Sequence, residues 1–197
     1  MKLYDISQEV FSSAIYPGDP SPKRQILASL AKGDVCHLTA FSMCAHNGTH
    51  IDAPYHFLTD GKTVDQLPLS HMVGAATVIS FEGTLGASEM KRLYEEALKR
   101  DPEAAKRLLI KGKATLSKEA ADYLATAGIY LFGNESQTVG PEEAPMAVHL
   151  TLLGADVVLL EGIRLAEVPE GIYLLSAAPL LLGGADGAPC RAVLIRP

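Results

Sequence analysis

Short, almost uninterrupted apolar segments in the second half of the chain constrain its fold most strongly. The segments IYLFG (129–133) and DVVLLEGI (156–163) lack a regular polar and apolar alternation, so we expect both faces of each strand to be covered. Segments with helical patterns alternate with them: SKEAADYLATAG (117–128) and PEEAPMAVHLTLLGA (141–155), the latter with Pro141 near its start. This alternation predicts the α/β class, or a mixed α+β fold.

The remaining segments extend this interpretation. Residues 88–109 have the clearest helical spacing, with Ser88 as N-cap and a break at Asp101-Pro102. Further strands are predicted at 2–7, 24–30, 36–43, 75–81, 107–116, 171–179 and 190–197. We find no repeat and no linker, so we expect one domain over residues 1–197.

Composition excludes several classes of partner. The net charge of −6 argues against nucleic acid and anionic membranes, because both require a basic footprint. No apolar run approaches the roughly 20 residues of a membrane span, and the N-terminus does not resemble a signal peptide. The three cysteines form no CxxC pair and fit a reducing compartment, so we expect a cytoplasmic protein.

One stretch, HNGTHIDAPYHF (46–57), concentrates half of the six histidines. In an extended chain, alternate residues share a face, which would bring His46, His50 and Asp52 together around Gly48. In a helix, Asp52 would point roughly 200° away from His50. The β-branched residues and Pro54 also disfavour a helix, so we expect a strand in which Gly48 leaves space for a metal.

Two imidazoles and one carboxylate suit Zn²⁺, and also Mn²⁺ or Fe²⁺. Three protein ligands leave a coordination position open, as in catalytic zinc sites. His56 lies beyond Pro54 and need not continue the strand, which suits it to carry a proton to or from the reacting groups. Asp186 lies in a Gly-rich turn, and turn chemistry is sufficient to explain it.

The stretch resembles the HxGTHxDxPxH signature of the cyclase-like metal-dependent hydrolases, the family of bacterial kynurenine formamidases and isatin hydrolases. YPGDP (16–20) and GADGAPCRAVLI (184–195) add weaker similarity at the two ends. The resemblance implies a barrel-like mixed sheet flanked by helices. It also implies that His46, His50 and Asp52 hold one metal, that Asp52 bridges to a second, and that His56 is the general acid/base.

The same resemblance implies the rest of the site. In the formamidases, a His and a Glu twelve residues apart complete the second metal site, and His149 and Glu161 have this separation. It further implies two zinc ions per chain, with Mn²⁺ as the alternative, and a homodimer or homotetramer. The expected reaction is hydrolysis of an aryl formamide, with N-formylkynurenine giving kynurenine and formate.

Two positions depart from the family pattern. Tyr16 stands where the formamidases have a Trp that lines the aryl pocket, and Glu135 stands where many relatives have an Asp. Tyr16 can still stack on an aryl group. The first alternative is therefore a hydrolase of another cyclic or aryl amide, such as an isatin-like lactam. The second is a metal-binding protein without catalysis, which the presence of His56 disfavours.

Overall fold

The computed structural model describes residues 1–196. Over this range the chain forms four α-helices: α1 (Leu69–Met72), α2 (Ala87–Arg100), α3 (Lys118–Thr126) and α4 (Met146–Gly154). It also forms thirteen strands: β1 (Lys2–Asp5), β2 (Lys23–Ala28), β3 (Leu38–Ser42), β4 (His50–Asp52), β5 (Val73–Ser80), β6 (Gly83–Leu85), β7 (Arg107–Lys111), β8 (Ala114–Leu116), β9 (Leu131–Asn134), β10 (Val158–Glu161), β11 (Gly171–Ser176), β12 (Gly187–Pro189) and β13 (Val193–Arg196).

Nine of these strands form one strongly curled, half-barrel sheet in the order β1-β13-β11-β5-β7-β9-β10-β4-β12. The four central strands β5, β7, β9 and β10 are parallel, and the flanking pairs are antiparallel. The predicted mixed sheet flanked by helices is confirmed.

The central strands are covered on both faces, as their uninterrupted apolar sequences predict. In β7, Leu108 and Ile110 pack with the inner faces of α2, α3 and α4, whereas Leu109 points into the concave side of the sheet. All three side chains are fully buried. Because successive side chains alternate between faces, a strand between two cores is apolar at most positions, and Arg107 and Glu161 lie at strand ends.

Local sequence explains most of the element boundaries. The Ser117 side chain accepts a hydrogen bond from the Ala120 N–H and caps α3, and Gly128 follows this helix with a left-handed φ of 75°. Helix α2 ends at Arg100, before the predicted break, but it begins at Ala87 after Gly86, so the prediction of Ser88 as its N-cap is wrong. The predicted start of α4 near Pro141 is wrong, since the helix begins at Met146 after Pro145. The final predicted strand is observed as β13, and Pro197 lies outside the described residues.

Strand β4 lies between β10 and β12, and this placement builds the functional site. In the antiparallel ladder with β10, His50 is directly opposite Glu161. In the ladder with β12, Asp52 is directly opposite Gly187. Directly paired residues project to the same face of a sheet, so His50 and Glu161 meet although 111 positions separate them in the sequence.

Strands β2 and β3 form a separate two-stranded ribbon. None of its residues is buried, and the ribbon exposes Ile26, Leu27, Leu38 and Phe41. In the described part of the chain, no helix has the length and apolar character needed to cross a bilayer.

Candidate metal centre and active site

The signature residues do not all come from a strand. Only His50–Asp52 are extended, while His46 lies in a turn that precedes β4, and residues 54–56 form a single 3-10 turn after it. The prediction that His46 continues the strand is therefore wrong. The residues nevertheless converge, because the turn folds the His46 ring back beside Asp52.

Gly48 has a different role from the predicted one. Its φ is 68°, in the left-handed region, and a Cβ atom there would lie 2.9 Å from the Ser13 Cβ. Its carbonyl oxygen lies 3.0 Å from the His50 Nδ1. Gly48 thus permits the turn and its close contact with the N-terminal segment, and does not create space for a metal.

The first group of donors comprises His46, His50 and Asp52. The Asp52 Oδ1 lies 2.9 Å from the His46 Nδ1 and 3.2 Å from the His50 Nε2. His50 and Asp52 are each only 1% exposed, so their donor atoms lie at the buried end of the site.

The second group comprises Asp52, His149 and Glu161. The His149 Nε2 lies 3.1 Å from the Glu161 Oε1 and 3.6 Å from the Asp52 Oδ2. The other carboxylate oxygen of Glu161 lies 3.3 Å from the His50 Nε2. The structure therefore brings all five residues together and places Asp52 in both groups.

Backbone carbonyls fix the orientation of two imidazoles. A carbonyl oxygen can only accept, so the His50 Nδ1–H donates to the Gly48 carbonyl, and the His149 Nδ1–H donates to the Pro145 carbonyl at 2.9 Å. In both rings, the Nε2 atom is left facing the carboxylates. Metal-ligating histidines have this arrangement, in which one ring nitrogen is held by the protein and the other points at the ion.

The electrostatics of the site are dominated by its buried carboxylates. Burial disfavours the charged form of His149, but the hydrogen bond and the charge of Glu161 outweigh burial and raise the pKa of His149 to about 9. Burial is likewise outweighed at His50, where hydrogen bonds to Asp52 and Glu161 hold the pKa well above its ordinary value. Burial would raise the pKa of Asp52, yet hydrogen bonds from His46 and His50 hold it well below its ordinary value.

These groups fit divalent cations on two observations. The Asp52 Oδ2 is buried without a hydrogen-bond partner in the described part of the chain, which is costly for a carboxylate oxygen. Each group offers three nitrogen or oxygen donors that lie within 4.8 Å of one another. Such a donor set, shared through one carboxylate, matches the coordination chemistry of Zn²⁺ or Mn²⁺.

His56 lies beside these groups, with its ring stacked on His46 at a centroid distance of 4.0 Å. Burial lowers the pKa of His56, and the charge of Asp52 opposes this effect. Its Nδ1 lies 3.2 Å from the Asp186 Oδ2. Asp186 therefore belongs to the site, and its interpretation as a turn residue alone is wrong.

The donor residues open into a cavity of about 250 Å³ that is also lined by Tyr16, Phe57, Gln137 and Pro145. This volume is slightly below the roughly 300–1,000 Å³ typical of small-molecule sites. The Tyr16 hydroxyl donates to the Glu142 carbonyl at 3.2 Å. A small, partly aromatic compartment therefore adjoins the histidines.

Glu135 does not line this cavity. Its carboxylate accepts hydrogen bonds from the backbone N–H groups of Gly112 and Leu165. The substitution of Glu for Asp thus concerns loop anchoring. The two histidines outside the site are also accounted for, since His37 is exposed and His71 stacks on Tyr130 at 4.6 Å.

Solved structures of similar fold include proteins described as hydrolases. A structure described as a potential metal-dependent hydrolase with cyclase activity superposes with a TM-score of 0.80 and 28% identity, over 98% of this chain and 96% of that one. Isatin hydrolase A from Labrenzia aggregata, at 20% identity, shares the fold with a TM-score of 0.81 over 98% of this chain and 93% of that one. The fold and the donor groups together define a hydrolase of the cyclase type.

Sequence comparison gives the family. Residues 4–141 match the Cyclase family model, described as "Putative cyclase". A kynurenine formamidase from Bacillus anthracis is 34% identical over 212 aligned positions, which cover 100% of this chain and 98% of that protein. The chain belongs to the Cyclase family, and the resemblance predicted from the signature is confirmed.

Proposed function

We propose that the chain hydrolyses aryl formamides, with N-formylkynurenine as the substrate and kynurenine and formate as the products. The observation that carries the proposal is one cavity in which two donor groups share Asp52 and adjoin His56. Full-length similarity to proteins named kynurenine formamidase supports the choice of substrate.

We assign His46, His50 and Asp52 to the first metal, and Asp52, His149 and Glu161 to the second, with zinc in both. When bound, divalent cations supply the Lewis acidity that activates water and polarises a carbonyl group. The buried carboxylates then offset the cationic charge, and the backbone carbonyls of Gly48 and Pro145 keep His50 and His149 oriented.

His56 acts as the general acid/base. Its Nε2 has no hydrogen-bond partner in the described part of the chain and its ring lines the cavity, so it can exchange a proton with the reacting groups. Water adds to the formyl carbon as the His56 Nε2 takes up its proton. The C–N bond then breaks, and the same Nε2–H delivers that proton to the departing aniline nitrogen. An anilide anion is a poor leaving group, so this proton transfer is essential.

Tyr16 and Phe57 form the aromatic part of the cavity and would contact the aryl ring. Because Tyr16 is smaller than the Trp of the formamidases, a cyclic aryl amide such as isatin is the second candidate substrate.

We also propose that the chain forms a homodimer or homotetramer through the β2–β3 ribbon. An isolated two-stranded ribbon is marginally stable at best, and this one exposes Phe41 and Ile26 at 58% and 59%. A neighbouring cavity lined by Phe41, Met43 and Leu180 continues the apolar surface. A second copy would cover both the ribbon and this cavity.

A reducing cytoplasm suits the free cysteines Cys36, Cys44 and Cys190.

The deciding experiment combines elemental analysis of the purified protein with kcat/KM for N-formylkynurenine and for isatin. We expect about two zinc ions per chain and a preference for N-formylkynurenine. An Asp52→Asn variant should lose both ions, since Asp52 is the shared ligand. Two ions without formamidase activity would reject the substrate, and a metal-free, active protein would reject the whole site.

A further inference from the structure

Asp186 is held next to the signature by the sheet itself. It immediately precedes β12, whose Gly187 pairs with Asp52 in β4. The Asp186 carbonyl accepts a hydrogen bond from the Ala53 N–H at 2.9 Å. The backbone of Asp186 is therefore anchored where the chain enters β12, although the Asp186 side chain is 42% exposed.

A single oxygen of Asp186 reaches two histidines. The Oδ2 lies 2.8 Å from the His46 Nε2 and 3.2 Å from the His56 Nδ1. The two rings stack with an interplanar angle of 29°, so both can present a nitrogen to the same oxygen. Charge-assisted hydrogen bonds of this kind are stronger than bonds between neutral groups.

These contacts determine the tautomers of His46 and His56, and both tautomers fit the proposed roles. The His46 Nδ1 faces Asp52, which leaves the Nε2–H to donate to Asp186. A carboxylate behind a ligating histidine orients the ring and increases its basicity. At His56, the Nδ1–H donates to the same oxygen, so the Nε2 presents a lone pair to the cavity.

We infer that Asp186 is a positioning residue that links the proton-carrying His56 to the metal ligand His46 through one carboxylate oxygen. The inference rests on the proposed function for the role of His56. It differs from a third metal group made of His46, His56 and Asp186, whose atoms also lie close together. That group would need the His46 Nε2 as a ligand, so the His46 Nδ1 would carry the proton, donate to Asp52 and be lost as a ligand to the first group.

The test uses the zinc-loaded protein with Asp186→Asn and Asp186→Glu. Asn keeps the shape and removes the charge, whereas Glu keeps the charge on a longer side chain. A matched control is Asp65→Asn, because the Asp65 carboxylate accepts a hydrogen bond from the Gly184 N–H and anchors the same loop at 3.0 Å without lining the site.

For Asp186→Asn, we expect zinc affinity, measured by chelator competition, to fall by about 10–100-fold, the usual effect of losing such an outer carboxylate. We expect kcat to fall by a similar factor, about 10–100-fold, with KM changed by less than about 3-fold, because orientation and not substrate binding is lost. Asp186→Glu should recover part of both losses, and Asp65→Asn should cause neither.

Nitrogen NMR of the imidazole rings gives a readout that needs no substrate. The His56 ring should carry its proton on Nδ1 in the parent protein and lose this preference in Asp186→Asn. In the double variant His56→Ala and Asp186→Asn, zinc affinity should still fall, because the contact with His46 is independent of His56.

An unchanged His56 tautomer together with unchanged zinc affinity would overturn the inference. Loss of one complete metal equivalent in Asp186→Asn would also overturn it, since Asp186 would then be a ligand. If the parent protein fails to hydrolyse N-formylkynurenine while the tautomer and affinity effects persist, the proposed function fails and the positioning role stands.

Discussion

His56 is bound through one ring nitrogen and open at the other, which distinguishes it from the ligating histidines around it. Replacing His56 with Ala removes the proton carrier and leaves both donor groups intact. We expect kcat to fall by about 10²–10⁴-fold, the usual contribution of general acid/base catalysis, with metal content unchanged. Near-normal turnover in a metal-replete His56→Ala protein would contradict the role. The exposed His37→Ala variant is the matched control.

Protons and metal compete for His149. Its pKa of about 9 in the metal-free protein lies above the ordinary value of 6.5, so this histidine is mostly charged at pH 7 and must release a proton to bind zinc. Zinc affinity should therefore rise as the pH increases through about 9. Calorimetric titration in buffers of different ionisation enthalpy should detect the released protons.

The same shift gives the sign of a stability effect. A histidine whose pKa is raised on folding stabilises the metal-free protein fully below pH 6.5, and this contribution disappears as pH rises through about 9. Thermal denaturation of the metal-free protein should show a Tm that declines across this interval. A Tm that increases would contradict the charge assignment.

At the residue scale, the sequence predicts those site residues that lie close together along the chain. His46, His50, Asp52 and His56 lie within eleven positions, and their residue types alone indicate metal chemistry. Asp186 could not be found this way. It is 140 positions from His46, and an Asp in a Gly-rich turn has the same local pattern whether or not a histidine faces it.

At the element scale, β12 illustrates what local patterns miss. Its residues have little intrinsic preference for a strand: Gly187, Ala188 and Pro189. They are extended because they pair with β4 in an antiparallel ladder. The helical pattern of 141–155 likewise places α4 too early, since Pro145 precedes the helix and the preceding residues form a turn. The long apolar strands are predictable because burial on both faces fixes their composition.

The closeness of β12 and β4 makes Gly187 a sensitive position. A Cβ atom there would lie 2.6 Å from the Ile51 carbonyl oxygen and 2.8 Å from the His46 Cε1. Gly187→Ala must therefore displace either the strand or the His46 ring, and we expect a loss of about 1–3 kcal/mol in unfolding free energy, as for overpacked cores. Zinc affinity should fall as well.

Urea denaturation and chelator competition measure these two losses. Gly183→Ala is the control, because a Cβ atom at Gly183 meets no atom within 4 Å. Equal behaviour of the two variants would show that the contact with His46 is unimportant.

At the scale of the whole molecule, the curled sheet contributes to two buried cores, whereas the β2–β3 ribbon has no buried residue. If a second copy covers the ribbon, a charge at Phe41 should prevent association, because burying an unpaired carboxylate is costly. We expect Phe41→Glu to reduce the mass measured by light scattering to that of one chain, 20.9 kDa. Leu98→Glu, on the outer face of α2, should leave the mass of the assembly unchanged. Equal masses for both variants would contradict an interface at the ribbon.

Strands β1 and β13, the first and last along the described residues, pair with each other, with Lys2 opposite Arg196. Residues 2 and 196 are therefore neighbours near one edge of the sheet. A circularly permuted variant could begin near Gly33, at the tip of the ribbon, with residues 2 and 196 connected through a short linker. Its strands would form the same ladders, although they would follow one another in a different order along the chain. We expect the geometry of the active site to stay the same, since its residues come from loops and strands that the rearrangement leaves intact.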